Sequence, residues 1–310
     1  PTTTPTTTPP TMARRKPASV HGLAVVDKPA GVTSHDVVGM VRRHLGERRV
    51  GHAGTLDPDA TGVLLVGVGN ATRLLRFLTA LGKTYTAEVV LGTETSTLDA
   101  SGEVTGTHDM SAVTEAQVRA AVAEHLVGPI MQVPPMVSAL KVDGRRLHEL
   151  AREGIEVERA PRPVTIHRFD IEPTADPMVY RIEVVCSSGT YVRTLADDLG
   201  HLLGGGAHLR NLRRTACGSF GEGEASAPTE LALLTCAEAM RDYQHVVVDA
   251  ATAALVGNGR VLPAWPEVGD TAGPWAVCGP DGDLLAMYER VDAGTVKPDV
   301  VIPPAGSVGD

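Results

Sequence analysis

The order of hydrophobic and polar residues divides most of the chain into short helical and extended segments. Apolar residues three or four positions apart predict helices over residues 33–45, 70–81, 114–126 and 192–203. Alternating or continuous apolar runs predict strands over residues 23–26, 63–68, 83–91 and 180–186. Because these segments follow no regular strand–helix repeat, the pattern favours an α+β fold with a mixed β-sheet core flanked by helices.

Polar residues mark the points at which three of these helices begin. Thr33 with Asp36, and Thr114 with Gln117, have the spacing of a capping box, in which two side chains satisfy backbone N–H groups of the first turn. Asn70 precedes another helical pattern and is predicted to cap it. The helix boundaries are therefore better defined than apolar spacing alone would make them.

Composition changes along the chain indicate its domain organisation. Residues 1–18 are rich in Thr and Pro and are expected to form a disordered tail, because they contain nothing that could bury an apolar face. Residues 19–245 form the predicted main domain, within which residues 133–163 are rich in charge and proline. Residues 246–310 alternate short apolar runs with Gly and Pro, which predicts a small C-terminal β-rich domain.

Composition excludes several classes of protein. With 310 residues and 43% hydrophobic content the chain can fill sizeable cores. No apolar run approaches the roughly 20 residues of a membrane helix, and no signal peptide is recognisable, so we expect a cytoplasmic protein. The four cysteines lie far apart without a C-x-x-C pair, and no metal-ligand or cofactor-loop pattern is present, so neither a metal nor a cofactor is predicted.

The segment 49–64 is the most informative part of the chain. It surrounds a single carboxylate, Asp57, with residues that restrict or bend the backbone: Gly51, Gly54, Pro58 and Gly62. An acid held in this way can be aimed at a substrate. An isolated Asp-Pro pair is, however, more often an ordinary turn opener, so the pair alone does not establish a catalytic role.

The whole segment resembles the catalytic motif of the TruB family of tRNA pseudouridine synthases, which isomerise a uridine in the T arm of tRNA. Every specified position of G-H-x-G-x-L-D-P-x-A-x-G-x-L is matched from Gly51 through Leu64. Further motifs of the family follow in order at residues 26–31, 83–85, 135–141 and 189–195.

The resemblance implies a fold, a substrate and a mode of action. The fold would be that of the pseudouridine synthases, with a PUA-like C-terminal domain over residues 246–310 and with residues 133–163 closing over RNA. The substrate would be uridine 55 in the T loop of tRNA, bound through the T stem-loop. We also expect a monomer without an obligate protein partner.

Pseudouridine formation breaks the C1′–N1 bond of uridine, turns the uracil and joins its C5 to C1′, so it needs a carboxylate near the sugar. By resemblance this carboxylate is Asp57, Arg193 pairs with it and Asp99 joins the ion-pair network. Tyr85 would stack on the uracil and help to move a proton from C5. Attack on C1′, attack on C6 and abstraction of a ribose proton all remain open as routes, and each requires Asp57 to be ionised.

A second group of residues is expected to bind the RNA. Flipping a uridine out of a folded loop leaves a gap, and His52, predicted to lie in a loop, is the candidate to fill it. Lys28 and Arg73 are candidate phosphate ligands. Other predicted RNA contacts are Lys141, Arg145, Tyr191, Arg210, Arg213 and Arg214.

The distribution of charge is compatible with RNA binding although the net charge is −9. Residues 219–310 carry 14 acidic against 4 basic residues, which leaves residues 1–218 at +1. Residues 13–49 hold 8 Lys or Arg against 3 acids and provide candidate phosphate contacts. The alternative, that such residues merely solvate a surface, is open for each of them.

Features of the sequence also suggest three other functions. Residues 67–72 begin like a dinucleotide-binding fingerprint but lack its last glycine. Asp57 and Asp59 could form a glycosidase pair, but two acids so close on one turn are poorly placed to flank a bond. A non-catalytic tRNA-binding or tRNA-folding chaperone remains as the alternative to an isomerase.

Overall fold

A computed structural model describes residues 18–138, 140–142 and 145–303 of the chain. The predicted disordered tail therefore lies, apart from residue 18, outside the described residues, as does the end of the C-terminal domain from residue 304. In the described part the α-helices are α1 Ser34–Leu45, α2 Leu75–Ala80, α3 Glu115–His125, α4 Leu147–Arg152, α5 Val192–Leu202 and α6 Ala250–Gly257.

The strands of the described residues fall into one large sheet, one smaller sheet and two short hairpins. In chain order they are β1 Gly22–Lys28, β2 Val50–Ala53, β3 Thr61–Val68, β4 Lys83–Leu91, β5 Thr93–Thr95, β6 Val104–Thr107, β7 Gly128–Gln132, β8 Lys141–Val142, β9 Arg145–Arg146, β10 Arg162–Pro173, β11 Val179–Cys186, β12 Ala207–Cys217, β13 Phe220–Gly221, β14 Leu233–Leu234, β15 His245–Val247, β16 Leu262–Pro263, β17 Trp275–Cys278, β18 Leu284–Arg290 and β19 Thr295–Val301.

The large sheet is mixed, as predicted. Its order is β14-β1-β3-β12-β4-β11-β10-β7, with β13 on β12 and β2 on β3. The β12–β3 pair is parallel, whereas β12 runs antiparallel to β4. One edge of β3 pairs with β1, and the other is shared by β12, next to residues 61–62, and β2, next to residues 65–68. The predicted α+β architecture is confirmed.

The two faces of this sheet bury different partners. Helices α1, α3 and α5 cover one face, where Val41, Val122 and Leu195 join a core with inward residues of β4 such as Ala87 and Val89. The other face packs against α2 and the smaller sheet. Both predicted capping boxes are present, since Thr33 and Thr114 each accept from the backbone three residues later.

The smaller sheet makes the C-terminal part β-rich, as expected. Its order is β15-β17-β18-β19-β16, and Trp275 and Tyr288 are fully buried in its core. The sequence pattern did not reveal α6, whose residues are apolar or small on all sides; Asp249 caps it by accepting from Thr252.

The prediction that Asn70 caps a helix is wrong. Residues 69–74 form a 3₁₀ helix that continues into α2, and no side chain caps its first turn. The Asn70 amide instead donates to the Pro303 carbonyl at 2.9 Å. Asn70 lies within this 3₁₀ helix and not before it, so its side chain makes a tertiary contact with the C-terminal segment and no local cap.

Other elements differ from the sequence pattern. Strands β10 and β12 were not predicted, and His52 lies on β2 and not in a loop. In β12 the register shifts twice, between Arg210 and Arg213 and between Arg214 and Ala216, so that apolar and polar residues do not alternate. The segment 133–163 contains the β8–β9 hairpin and α4 between the main-sheet strands β7 and β10.

Gly62, where β3 begins, is required by the parallel contact with β12. Its φ of +99° is one that L side chains rarely adopt, and an added Cβ would lie 2.2 Å from the Arg214 carbonyl oxygen. That oxygen belongs to the backbone of a central strand, so it cannot move aside without disturbing the sheet. The glycine of the sequence motif is thus explained by backbone packing beneath the Asp57 loop.

We expect Gly62→Ala to lower the free energy of unfolding by about 1–3 kcal/mol more than Gly46→Ala, because only the first adds an overlap to the cost of positive φ. Gly46 is the matched control, since its φ is +64° and an added Cβ would meet nothing within 4 Å. Urea unfolding of both variants measures the difference. Equal losses would show that the β3–β12 contact is not the constraint.

Candidate active site

Asp57 lies in the connection between β2 and β3, where several hydrogen bonds fix the backbone. Ser34, buried at the start of α1, donates to the Leu56 carbonyl at 3.1 Å and accepts from the Leu56 N–H at 2.9 Å. The Ala60 N–H donates to the Asp57 carbonyl at 3.2 Å and closes the turn. The rigid turn predicted around Asp57 is therefore present.

Lys28 supports this turn from below. Its side chain is fully buried, and Nζ donates to the carbonyls of Pro29, Pro58 and Ala60 at 3.0, 2.8 and 2.7 Å. Burial lowers the pKa of Lys28 to about 8, against the opposing attraction of Asp59 and Asp57. The structure thus places Lys28 inside the loop that carries Asp57, where its donors are already used, and not at a surface where it would meet a phosphate.

Arg193, in the first turn of α5, binds three separate segments around Asp57. Its Nε lies 3.0 Å from Asp57 Oδ2 and 3.6 Å from Asp99 Oδ2. Its two terminal nitrogens donate to the carbonyls of Thr97 and Val137, each at 2.7 Å. The predicted network of Asp57, Arg193 and Asp99 is present, and it also includes the loop that precedes the β8–β9 hairpin.

The pKa of Asp57 is set by burial and by the neighbouring charges, which act in opposite directions. Loss of water around the carboxylate raises its pKa, whereas Arg193 lowers it, Asp99 raises it and Lys28 lowers it. The net result is a raised pKa. Since the Asp57 side chain is 39% exposed, and Arg193 only 4%, the acid is accessible to a substrate while its counter-ion is not. Ionisation of Asp57 consequently depends on the buried guanidinium.

An open cavity of about 270 Å³ joins the candidate catalytic residues. Asp57, Tyr85 and Arg193 all line it, together with Tyr191, the residue before the first turn of α5. Tyr85 faces the apolar side of β4, as the alternation predicted, and is 8% exposed. A second cavity, of about 440 Å³, shares Asp57 and Arg193 and continues towards Asp99 and Arg210.

Two buried cations at this cavity have functions that the sequence pattern did not indicate. Arg214, predicted to contact phosphate, is 1% exposed and donates to the carbonyls of Val63 and Gly54 at 2.7 and 3.0 Å. Lys83 was not among the predicted site residues. It is 6% exposed and donates to the carbonyls of Thr79 and Leu81 near the end of α2. Neither side chain lies at the outer surface.

Other predicted RNA contacts are engaged within the protein. Arg73 donates to the Val301 carbonyl at 3.1 Å. Arg210 pairs with Glu88 at 2.7 Å, and Arg145 pairs with Glu153. The backbone of Lys141 belongs to β8, but its side chain is not among those that the structure describes.

Arg213, the neighbour of Arg214 on β12, connects this strand to β1 through an ion pair. Its guanidinium donates to both carboxylate oxygens of Asp27 at 3.0 Å, and its Nε pairs with Glu222. The cluster of three arginines predicted from sequence is thus divided among two ion-paired side chains and one buried side chain.

A more accessible group of basic residues lies beside β2. Arg42 and Arg43 at the end of α1, and Arg48 and Arg49 just before β2, are exposed, and half-buried His52 is on the same strand. Among the described residues these four arginines form no ion pair with a carboxylate, although Arg42 donates to the Val50 carbonyl. They belong to the basic segment 13–49 identified from sequence.

Within the described residues, no group of His, Cys, Asp and Glu side chains is arranged to hold a metal ion. In the same residues no helix is long and apolar enough to cross a membrane.

Comparison with known proteins relates most of the chain to one family. A model described as TruB family pseudouridylate synthase (N terminal domain) matches residues 42–192, and one described as tRNA pseudouridylate synthase B C-terminal domain matches residues 193–251. A protein named tRNA pseudouridine synthase B from Arthrobacter sp. (strain FB24) is 46% identical over 92% of this chain and 97% of its own length. The protein of that name from Symbiobacterium thermophilum is 50% identical over 80% and 84%.

Solved structures show the same fold. A chain from a Cbf5-Nop10-Gar1 complex matches with a TM-score of 0.70 at 24% identity, covering 92% of this chain and 85% of its own. A chain from an H/ACA RNP bound to a substrate RNA containing 2′-deoxyuridine matches with a TM-score of 0.68 at 22% identity, covering 92% and 86%. The mixed-sheet core with its β-rich C-terminal part is therefore the pseudouridine synthase fold.

We expect Arg193→Met to raise the pKa of Asp57 further, because the desolvation that raises it would remain while the nearest cation is lost. Carboxyl ¹³C NMR of protein labelled at aspartate measures this directly, with Asp57→Asn assigning the resonance. Arg168→Met, which removes an exposed arginine paired with Asp170 and Glu183, is the matched control. A fall in the pKa, or an equal change in both variants, would contradict the assignment of Arg193 as counter-ion.

Proposed function

Because the chain belongs to the TruB family of pseudouridylate synthases, we propose that it converts uridine 55 in the T loop of tRNA to pseudouridine with Asp57 as the reacting acid. The chain is an RNA-modifying isomerase, and its relatives carry the name tRNA pseudouridine synthase B over most of its length. The loop, the position and the roles of individual residues are the parts of the proposal that go beyond the family.

One observation carries the catalytic assignment: an accessible carboxylate and a buried guanidinium lie 3.0 Å apart in a cavity that also holds a tyrosine. The reaction exchanges a C1′–N1 bond for a C1′–C5 bond and moves one proton from C5 to N1, so no atom is gained or lost. It therefore needs an ionised acid near the sugar and a surface that retains the detached base. Asp57 and Tyr85 supply these two features.

The electrostatic arrangement suits an acid that must act while ionised. A carboxylate in a site from which RNA will exclude more water becomes protonated unless a cation remains with it. Arg193 can remain, since its other donors are fixed to the Thr97 and Val137 carbonyls. Attack on C1′, attack on C6 and abstraction of a ribose proton all use the same ionised group, so the proposal holds for each route.

The surface beside β2 is proposed to receive the tRNA. Exposed Arg42, Arg43, Arg48 and Arg49 would offer guanidinium groups to phosphates. His52, half-buried on β2, is proposed to enter the gap left by the flipped uridine. Residues 133–163 are proposed to close over the RNA from the side of Val137. Residues 246–310 are proposed as the small PUA-like domain, following residues 19–245 of the catalytic domain.

We propose that the enzyme acts as a monomer on the T stem-loop. The proposal places the enzyme in the cytoplasm with its tRNA substrate. A tRNA-folding chaperone without catalysis, the alternative from sequence, is set aside because the family models and the relatives describe pseudouridine synthases.

We expect Asp57→Asn to reduce the single-turnover rate of pseudouridine formation by at least about a thousandfold, because the amide can neither attack nor take a proton. The Kd for tRNA should change by less than about twofold, since the phosphate contacts lie elsewhere. Chemical detection of pseudouridine and filter binding measure the two quantities. Asp59→Asn, two residues away and outside the ion-pair network, is the matched control. Undiminished product with Asp57→Asn would reject Asp57 as the reacting acid.

A second experiment tests which uridine of the tRNA is modified, independently of the role of Asp57. We expect a tRNA transcript with cytidine in place of uridine 55 to yield no pseudouridine, whereas a transcript with cytidine in place of another T-loop uridine should still be modified. Sequencing of the modified site in both transcripts identifies the product. Modification at any other position in the first transcript would reject uridine 55 while leaving the isomerase activity intact.

A further inference from the structure

The fully buried guanidinium of Arg214 connects three parts of the site. From the middle of β12 its Nε donates to the Val63 carbonyl on β3 at 2.7 Å, and one terminal nitrogen donates to the Gly54 carbonyl at the entrance of the Asp57 loop at 3.0 Å. Its own backbone is opposite Gly62 on one side and Tyr85 on the other. One side chain thus links the loop that carries the acid to the strand that carries the phenol.

Arg214 is 1% exposed, and among the described residues no carboxylate pairs with it. A buried charge without a counter-ion is costly, because carbonyl groups replace only part of its hydration. A neutral donor of similar size would hold two carbonyls at lower cost. The retained positive charge therefore indicates a task beyond bracing the loop.

That task is indicated by the third group beside the guanidinium, the hydroxyl of Tyr85. Tyr85 is the cross-strand partner of Arg214, and both side chains line the same cavity. Loss of water raises the pKa of Tyr85, and the charge of the neighbouring guanidinium lowers it. A guanidinium can only donate, so in a hydrogen bond between the two groups the phenol oxygen must be the acceptor. The hydroxyl hydrogen then has to point elsewhere, and Tyr85 and Arg214 both line the cavity that Asp57 shares.

We propose that Arg214 is a positioning residue for the isomerisation: by donating to the Tyr85 oxygen it turns the hydroxyl hydrogen towards the place where the detached uracil lies. This inference rests on the proposed function, and it replaces the phosphate contact expected of Arg214 from sequence. Arg214 acts on the reaction through Tyr85 and does not itself touch the base.

The other polar groups near Tyr85 are less suited than Arg214 to orient its hydroxyl. Lys83 is buried nearby, but its ammonium donates to the Thr79 and Leu81 carbonyls. The thiols of Cys186 and Cys217 raise the pKa of the phenol, so they do not favour its anion. Burial raises the pKa of Cys186 itself to about 11, which keeps this thiol neutral.

A double-mutant cycle tests the proposal on the enzyme with intact tRNA. If Arg214 acts through the hydroxyl, Arg214→Lys should slow single-turnover product formation at least about tenfold more in the wild-type background than in the Tyr85→Phe background. Arg213→Lys is the matched control on the same strand and should slow both backgrounds by the same factor. Equal factors for Arg214→Lys in the two backgrounds would show that it only braces the loop, and would overturn the proposal.

A second measurement needs no catalysis, so it separates this inference from the proposed function. The chain has five tyrosines, and labelling with 3-fluorotyrosine followed by ¹⁹F NMR resolves them, with Tyr85→Phe assigning the resonance. We expect Arg214→Met to move the titration midpoint of residue 85 to higher pH, because the phenolate loses its donor while it stays desolvated. Arg214→Gln provides a comparison that also removes the positive charge if the Met variant fails to fold.

An unchanged or lower midpoint in these variants overturns the proposal, whatever the activity. A raised midpoint in a protein that makes no pseudouridine would support the contact and reject the proposed function instead.

Discussion

The site depends on one ion pair held partly out of water. Asp57 needs to be ionised, yet its surroundings raise its pKa, and Arg193 at 3.0 Å is the main influence in the opposite direction. A guanidinium suits this position because it stays charged when buried, as an ammonium need not. Since its remaining donors bind the Thr97 and Val137 carbonyls, the counter-ion of the acid is also the point at which three loops meet.

The mixed sheet explains how this pair is placed. The edge of β3 opposite β1 is shared by β2 and β12, and the Asp57 loop connects β2 to β3 where those neighbours change. Gly62 allows the backbones of β3 and β12 to meet there, and Lys28 fills the space beneath the turn with three hydrogen bonds. The loop is precise because the sheet beneath it is closely packed.

How much of this could be predicted from sequence depends on the range of the interactions. The capping boxes and the alternation of β4 are local, so the apolar and polar pattern identified them. The partnership of Asp57 with Arg193 joins residues far apart in the chain, and only a family resemblance could suggest it. Arg214 was assigned to the wrong environment, because the shifts of register in β12 remove the alternation that would have marked it as buried.

The same comparison explains how an acidic protein can act on RNA. Every basic residue counted along a sequence is a candidate for phosphate contact. In the fold, however, Arg213 and Arg210 pair with carboxylates, and Arg214 and Lys28 donate to carbonyls inside the protein. The described arginines that are exposed and form no ion pair with a carboxylate include those at the end of α1 and just before β2. Net charge is therefore a poor guide here, because the screened field that a phosphate meets comes from the nearest few charges. The four exposed arginines at the end of α1 and before β2 are positive charges of this kind, although the chain as a whole is negative.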